Sequence, residues 1–146
     1  MKTLVSAVLQ SKGGEIVSVG TGATVLDAVK LMVEKGVGAL LVMNKSGKLA
    51  GIVSERDCFN KILLAEKSPG KVLAKDIMTR KVLVVPPDCS IEECMAQMSG
   101  KHIRHLPVMK GEKVLGVLSM RDVVKFLVDE QDLMIKNLEK YIEGSL

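Results

Sequence analysis

The chain has 146 residues, 47% of them hydrophobic and 26% charged, which suits one well-buried domain or two small units sharing a core. Its net charge of +4 is spread rather than clustered, and its aromatic residues are Phe59, Phe126 and Tyr141, so stacking platforms for bases are scarce and nucleic-acid binding is disfavoured. No apolar run reaches the roughly 20 residues that span a bilayer, so no membrane association is expected.

The opening stretch, MKTLVSAVLQSKGG, is apolar only briefly, is interrupted by Ser6 and Gln10, and offers no small-residue cleavage site. No secretory signal is expected, and the chain reads as cytoplasmic. A short helical segment covers 4–11. A β-branched strand, IVSV (16–19), leads into a GTGA turn and a helix over 24–36. Thr24 at the N-cap and Asp27 three residues on form a reciprocal capping pattern, and Val25, Ala28, Val29, Met32 and Val33 follow at helical spacing. Strands at 38–43 and 49–54 flank an NKSGK turn, and Ser54, Arg56 and Asp57 open a second helix over 55–64.

After a Ser-Pro-Gly connector (65–72) and a helical segment at 73–78, the same order returns. VLVV (82–85) matches the first strand. Ser90 and Glu93 repeat the cap, and Ile91, Cys94, Met95 and Met98 repeat the apolar stripe of a helix over 90–102. Strands at 104–109 and 114–119 enclose a KGEK turn, and Ser119, Arg121 and Asp122 open the closing helix over 121–128. Identical residues fall at matching places, among them Met32/Met98, Leu40/Leu106, Gly51/Gly116, Ser54/Ser119 and Asp57/Asp122. This is a duplication, and two such small units are expected to pack against each other. The organisation expected is a first unit over 1–65, a second over 66–128, and an amphipathic C-terminal helix over 129–146 that offers Leu133, Leu138, Tyr141 and Ile142 for packing.

Cys58, Cys89 and Cys94 are odd in number and form no C-x-x-C, which favours free buried thiols. His102 and His105 lack partners at metal spacing, so no metal site is expected. VGTGATV (19–25) mimics the start of a dinucleotide fingerprint, but Val25 stands at the third glycine position, so it reads as a turn. No nucleophile–base pair or phosphate loop is apparent, and no enzyme activity or catalytic cofactor is expected.

The segments VGALLVMNKSGKLAGIVSERD (37–57) and IRHLPVMKGEKVLGVLSMRD (103–122) resemble the CBS domain, and the pair resembles a Bateman module over the chain up to about residue 128. The resemblance implies an α+β fold of two β-α-β-β-α repeats related by a pseudo-twofold axis, with two clefts built across the repeats. It further implies adenosine-containing ligands, AMP foremost, with ADP, ATP, NAD(H) or S-adenosylmethionine as alternatives, and a homodimer formed through paired helices. The first cleft would combine Ser54, Arg56 and Asp57 with Thr79, Lys81, Val82, Leu83, Arg104, His105 and Pro107. There the Asp57 carboxylate would accept ribose hydroxyls, and the arginines would meet phosphate. The second cleft would pair Ser119, Arg121 and Asp122 with Ile16, Val17, Val37, Gly38 and Ala39. Gly38 and Ala39 stand where the other copy has Arg104 and His105, so this cleft is expected to be the weaker. Both S-x-x-D motifs also serve as plain helix caps. The function expected is a stand-alone regulatory, energy-sensing module that signals occupancy to a protein partner. The alternative is a structural or interaction protein with vestigial clefts that acts through its dimer or its C-terminal helix.

Overall fold

The structure is a computed structural model and describes residues 3–144. In chain order its elements are α1 (Val5–Lys12), β1 (Ser18–Gly20), α2 (Val25–Lys35), β2 (Ala39–Met43), β3 (Leu49–Ser54) and α3 (Glu55–Cys58), the last continued by a π-turn at Phe59–Leu63. Then come α4 (Ala74–Ile77), α5 (Ile91–Lys101), β4 (His105–Lys110), β5 (Lys113–Ser119) and α6 (Met120–Gly144). The expected α+β duplication is present.

Local chemistry sets the helix ends. Thr24 Oγ1 accepts the Asp27 N–H at 3.1 Å while Asp27 accepts the Thr24 N–H at 3.1 Å, a complete capping box. Gly36, with φ of 66°, stops α2 in the left-handed conformation. In the second copy Ser90 Oγ accepts the Glu93 N–H at 3.2 Å, but the expected reciprocal bond is replaced. The Glu93 carboxylate instead accepts the Cys89 thiol at 3.4 Å. Cys58, Cys89 and Cys94 are buried and free, and burial pushes the Cys89 thiol up to about 12.

The first repeat forms a three-stranded sheet, with β1 parallel and β3 antiparallel to the central β2. The second forms only the β4–β5 hairpin. The strand expected at 82–85 shrinks to one parallel bridge, Val85 to Val108. Proline explains the loss. In the first repeat the Leu41 N–H donates to the Val17 carbonyl at 3.1 Å; its counterpart in β4 is Pro107, which has no N–H to give. Two bonds survive there, Val85 N–H to the Pro107 carbonyl at 3.0 Å and Met109 N–H to the Val85 carbonyl at 2.9 Å.

Each repeat borrows a helix from the other half of the chain. Val5 and Val8 of α1 are buried with Val85, Ile91, Met98, Leu106 and Leu118 of the second repeat. Ala74 and Ile77 of α4 are buried with Val25, Met32, Leu40 and Val53 of the first. The connecting segments therefore cross between the repeats. Residues 13–17 lead from α1 to β2, and residues 79–85 lead from the edge of β3, where Thr79 and Ile52 exchange hydrogen bonds at 2.9 and 3.1 Å, to β4. The closing helix and the C-terminal helix expected from the sequence are one continuous α6 of 25 residues, in which Val123 is buried while Leu133, Met134, Leu138 and Tyr141 are exposed. Among the described residues no helix is long and apolar enough to cross a membrane.

Candidate functional site

Both S-x-x-D motifs are capping boxes at the ends of equivalent strands. Ser54 donates its N–H to Asp57 Oδ2 at 2.9 Å, and Asp57 returns its own N–H to Ser54 Oγ at 3.3 Å. Ser119 and Asp122 do the same at 2.9 and 3.0 Å. The box fixes each carboxylate beside the start of its helix, and Asp57 and Asp122 remain half-buried.

Around Asp57, Thr79 is held against β3 two residues from Ser54, and the segment 79–85 carries Lys81 and Leu83, both exposed, toward β4. Arg56 and Arg104 are exposed as well, and Pro107 is buried in β4. Val82 lines a shallow cavity of about 280 Å³ with Arg80, Val84 and Met109, toward the two hairpin turns, where Lys48 and Glu112 pair at 3.4 Å. Asp57 Oδ1 also meets Lys61 at 3.1 Å, and the same ammonium donates to the Ile77 carbonyl at 2.7 Å.

Of the residues expected to join Asp122, Val17 is bonded to Leu41, and Val37, Gly38 and Ala39 lead into β2; Ile16 and Arg121 are exposed. The carboxylate is engaged by a residue that the sequence reading passed over. Lys12, at the end of α1, reaches Asp122 Oδ2 at 2.7 Å and the Val117 carbonyl at 2.7 Å. Burial raises the Asp122 carboxyl, but the Lys12 ammonium and the Ser119 bonds outweigh it and hold the group below its ordinary value.

His105 sits on the seam between the repeats. Its Cε1 lies 3.6 Å from where a side chain on Gly38 would begin, beside the Glu55 carboxylate. Burial pushes its imidazole down; Asp122 and Glu55 act the other way, and Lys12 and Arg104 add to the burial effect. Glu55 is thus a second seam residue that motif reading missed, because S-x-x-D gives no weight to its second position. Lys12 carries no local sequence signal, because its partner Asp122 lies 110 residues further along the chain. Among the described residues no group of three or more His, Cys, Asp or Glu side chains could hold a metal ion.

The family profile of the CBS domain matches residues 5–64 and 74–129. The CBS domain-containing protein CBSX3, mitochondrial, of Arabidopsis thaliana is 37% identical over 150 residues, covering 97% of this chain and 73% of that protein. An uncharacterized 33.4 kDa protein of Thermofilum pendens is 35% identical over 116 residues, covering 80% of this chain but only 37% of its own length. Among solved structures, a protein with CBS domains from Burkholderia ambifaria MC40-6 superimposes with a TM-score of 0.84 at 43% identity, covering 88% of this chain and 96% of the other. Stand-alone CBS-domain proteins are generally regulatory rather than catalytic. The chain belongs to the CBS domain family and is a tandem CBS pair of the regulatory type.

Proposed function

We propose that this CBS pair binds an adenosine-containing ligand, AMP foremost and ADP, ATP or NAD(H) as alternatives, at the Asp57 side of the inter-repeat seam and signals occupancy to a protein partner. The observation that carries this reading is the crossing of residues 79–85 from β3 to β4. One segment thereby links the Ser54–Asp57 box of the first repeat to the strand led by Arg104 and His105 in the second. A ligand bridging that seam favours one angle between the repeats over others, which is the differential affinity that regulation requires. Asp57 offers carboxylate lone pairs for a diol. Lys81, Arg56 and Arg104 offer exposed cations for phosphate. Pro107 removes the N–H that would have met the carbonyl of Leu83, leaving a backbone acceptor for a base.

Titration calorimetry and thermal shift with AMP, ADP, ATP, NADH and S-adenosylmethionine test the reading. A ligand at 100 times its dissociation constant stabilises the fold by about 2.7 kcal/mol. Asp57→Ala is expected to weaken binding more than Asp122→Ala. No shift with any of the five overturns the reading, and the reverse order of the two variants moves the site to the other cleft.

The exposed apolar residues Phe59, Leu63 and Leu64 of the first repeat and Val124, Leu127 and Val128 of the second support a homodimer through these helices. Sedimentation equilibrium tests that part, and a monomer across the micromolar range removes it. The same exposed face, continued by Leu133, Met134 and Leu138, favours a second reading in which the clefts are vestigial and α6 is the working surface.

A further inference from the structure

The duplication places a lysine at matching points of both repeats. Leu9 and Met78 lie over the equivalent glycines Gly116 and Gly51, and a lysine follows each by three residues, Lys12 and Lys81. Their surroundings differ because the borrowed helices differ in length. α1 stays helical through Lys12, whereas α4 stops at Ile77 and Thr79 is drawn onto β3. The longer helix delivers the Lys12 ammonium to Asp122 and to the Val117 carbonyl, both at 2.7 Å. Lys81 is exposed, and among the described residues its side chain makes no hydrogen bond or ion pair.

Asp57 also has a lysine partner, but of another kind. Lys61 stands four residues along the same helical segment and meets Oδ1 at 3.1 Å, whereas Oδ2 holds the capping bonds. At Asp122 the capping N–H and the ammonium converge on the same oxygen, Oδ2, and the ammonium comes from a different element, one that leads directly into residues 13–17. A neutral diol competes poorly with a cation for a carboxylate, since charge-assisted bonds are roughly twice as strong as neutral ones.

We propose that Lys12 sets the occupancy of the second cleft, its ammonium holding the Asp122 carboxylate so that a ligand diol enters only by displacing it. The claim rests on the adenosine reading given above, and it names the reason for inequality between the clefts as an internal competitor rather than a shortage of cations. Displacing Lys12 also frees the end of α1 from β5 and α6, so occupancy there would loosen the borrowed helix.

The test uses the full chain and AMP. Wild type is expected to take one AMP per chain in calorimetry. Lys12→Met, which keeps the apolar stem, should tighten the second site by about tenfold, equivalent to about 1.4 kcal/mol, and bring the stoichiometry to two. Lys12→Gln repeats that arm with a polar neutral side chain. Lys12→Arg should stay at one, and adding Asp122→Ala to Lys12→Met should remove the gained site. A ligand-free arm follows the Asp122 carboxyl by NMR titration, where Lys12→Met should raise its pKa; an unmoved carboxyl overturns the proposal. So does a normal first site with an unchanged or weakened second site in Lys12→Met, and that result leaves the adenosine reading standing. Absence of binding by AMP, ADP, ATP, NADH and S-adenosylmethionine in every protein overturns both.

Discussion

The two repeats share a scaffold and differ at three points. The first has a complete three-stranded sheet, a one-turn borrowed helix, and Gly51 pressed beneath Met78 and Thr79. The second has a bare hairpin, a two-turn borrowed helix, and Gly116 beneath the end of Leu9. Duplication conserves what the core requires, namely the helix caps, the central strand and the glycine under the borrowed helix. The edges are where the copies diverge, and the edges are where the proposed clefts would form. On the proposed reading, a single proline at 107 and a few more residues of helix in α1 suffice to make the two clefts chemically unequal.

Exchange of the borrowed helices gives the largest expected effect. Ile77→Ala should cost about 2–5 kcal/mol, and Val8→Ala roughly two-thirds as much because it removes two carbons rather than three. The location of the damage is the sharper readout. Hydrogen exchange should show protection lost in β2 and β3 for Ile77→Ala and in β4 and β5 for Val8→Ala. The opposite assignment would mean that each helix packs on the repeat it precedes in the chain.

The paired glycines should separate next. A methyl group on Gly51 would meet Met78 Sδ at 2.5 Å and the Thr79 carbonyl oxygen at 2.7 Å, and the carbonyl belongs to backbone already bonded to β3. On Gly116 it would meet only the tip of Leu9, at 3.1 Å. Denaturant unfolding of Gly51→Ala should therefore show a loss of about 1–3 kcal/mol, and that of Gly116→Ala clearly less. Equal losses would deny the difference in how tightly the two borrowed segments are held.

The smallest effect belongs to the seam. The pKa of His105 is depressed by burial from its ordinary 6.5, so just below that value the unfolded chain binds a proton that the folded chain does not. Stability is fully present above 6.5 and falls as pH drops toward the depressed value, below which the loss levels off. His105→Gln should flatten that part of the stability–pH curve. An unchanged slope would place the titration elsewhere.

Much of this was legible in the sequence, for physical reasons that stop at a definite range. Caps, apolar stripes and turns are local, so Thr24 with Asp27, Ser54 with Asp57 and the strands around Leu40 and Leu106 could be read directly. The failure of 82–85 to form a strand follows from Pro107, but only once the two segments are known to be neighbours. The destination of α1 is set by contacts such as the Val5 N–H to the Cys89 carbonyl at 2.8 Å, between residues far apart in the chain, and no periodicity encodes it. The same distance hid Lys12, whose partner lies in α6. The π-turn at Phe59–Leu63 and the fusion of the last two helical segments into α6 likewise depend on packing rather than pattern.

The borrowed helices also impose an order on synthesis. A ribosome completes the first core once α4 has emerged, because everything that core needs lies upstream of residue 79. Of the two borrowed helices, α1 waits the longer. Val5 and Val8 have no core until residues 85–123 follow them, and a helix of eight residues is marginal in water by itself. Throughout that interval the nascent chain carries a finished unit beside an uncovered apolar helix. A chain cut short within the second repeat would therefore keep a folded first half yet leave the apolar face of α1 uncovered, a signal that chaperones and proteases can act on.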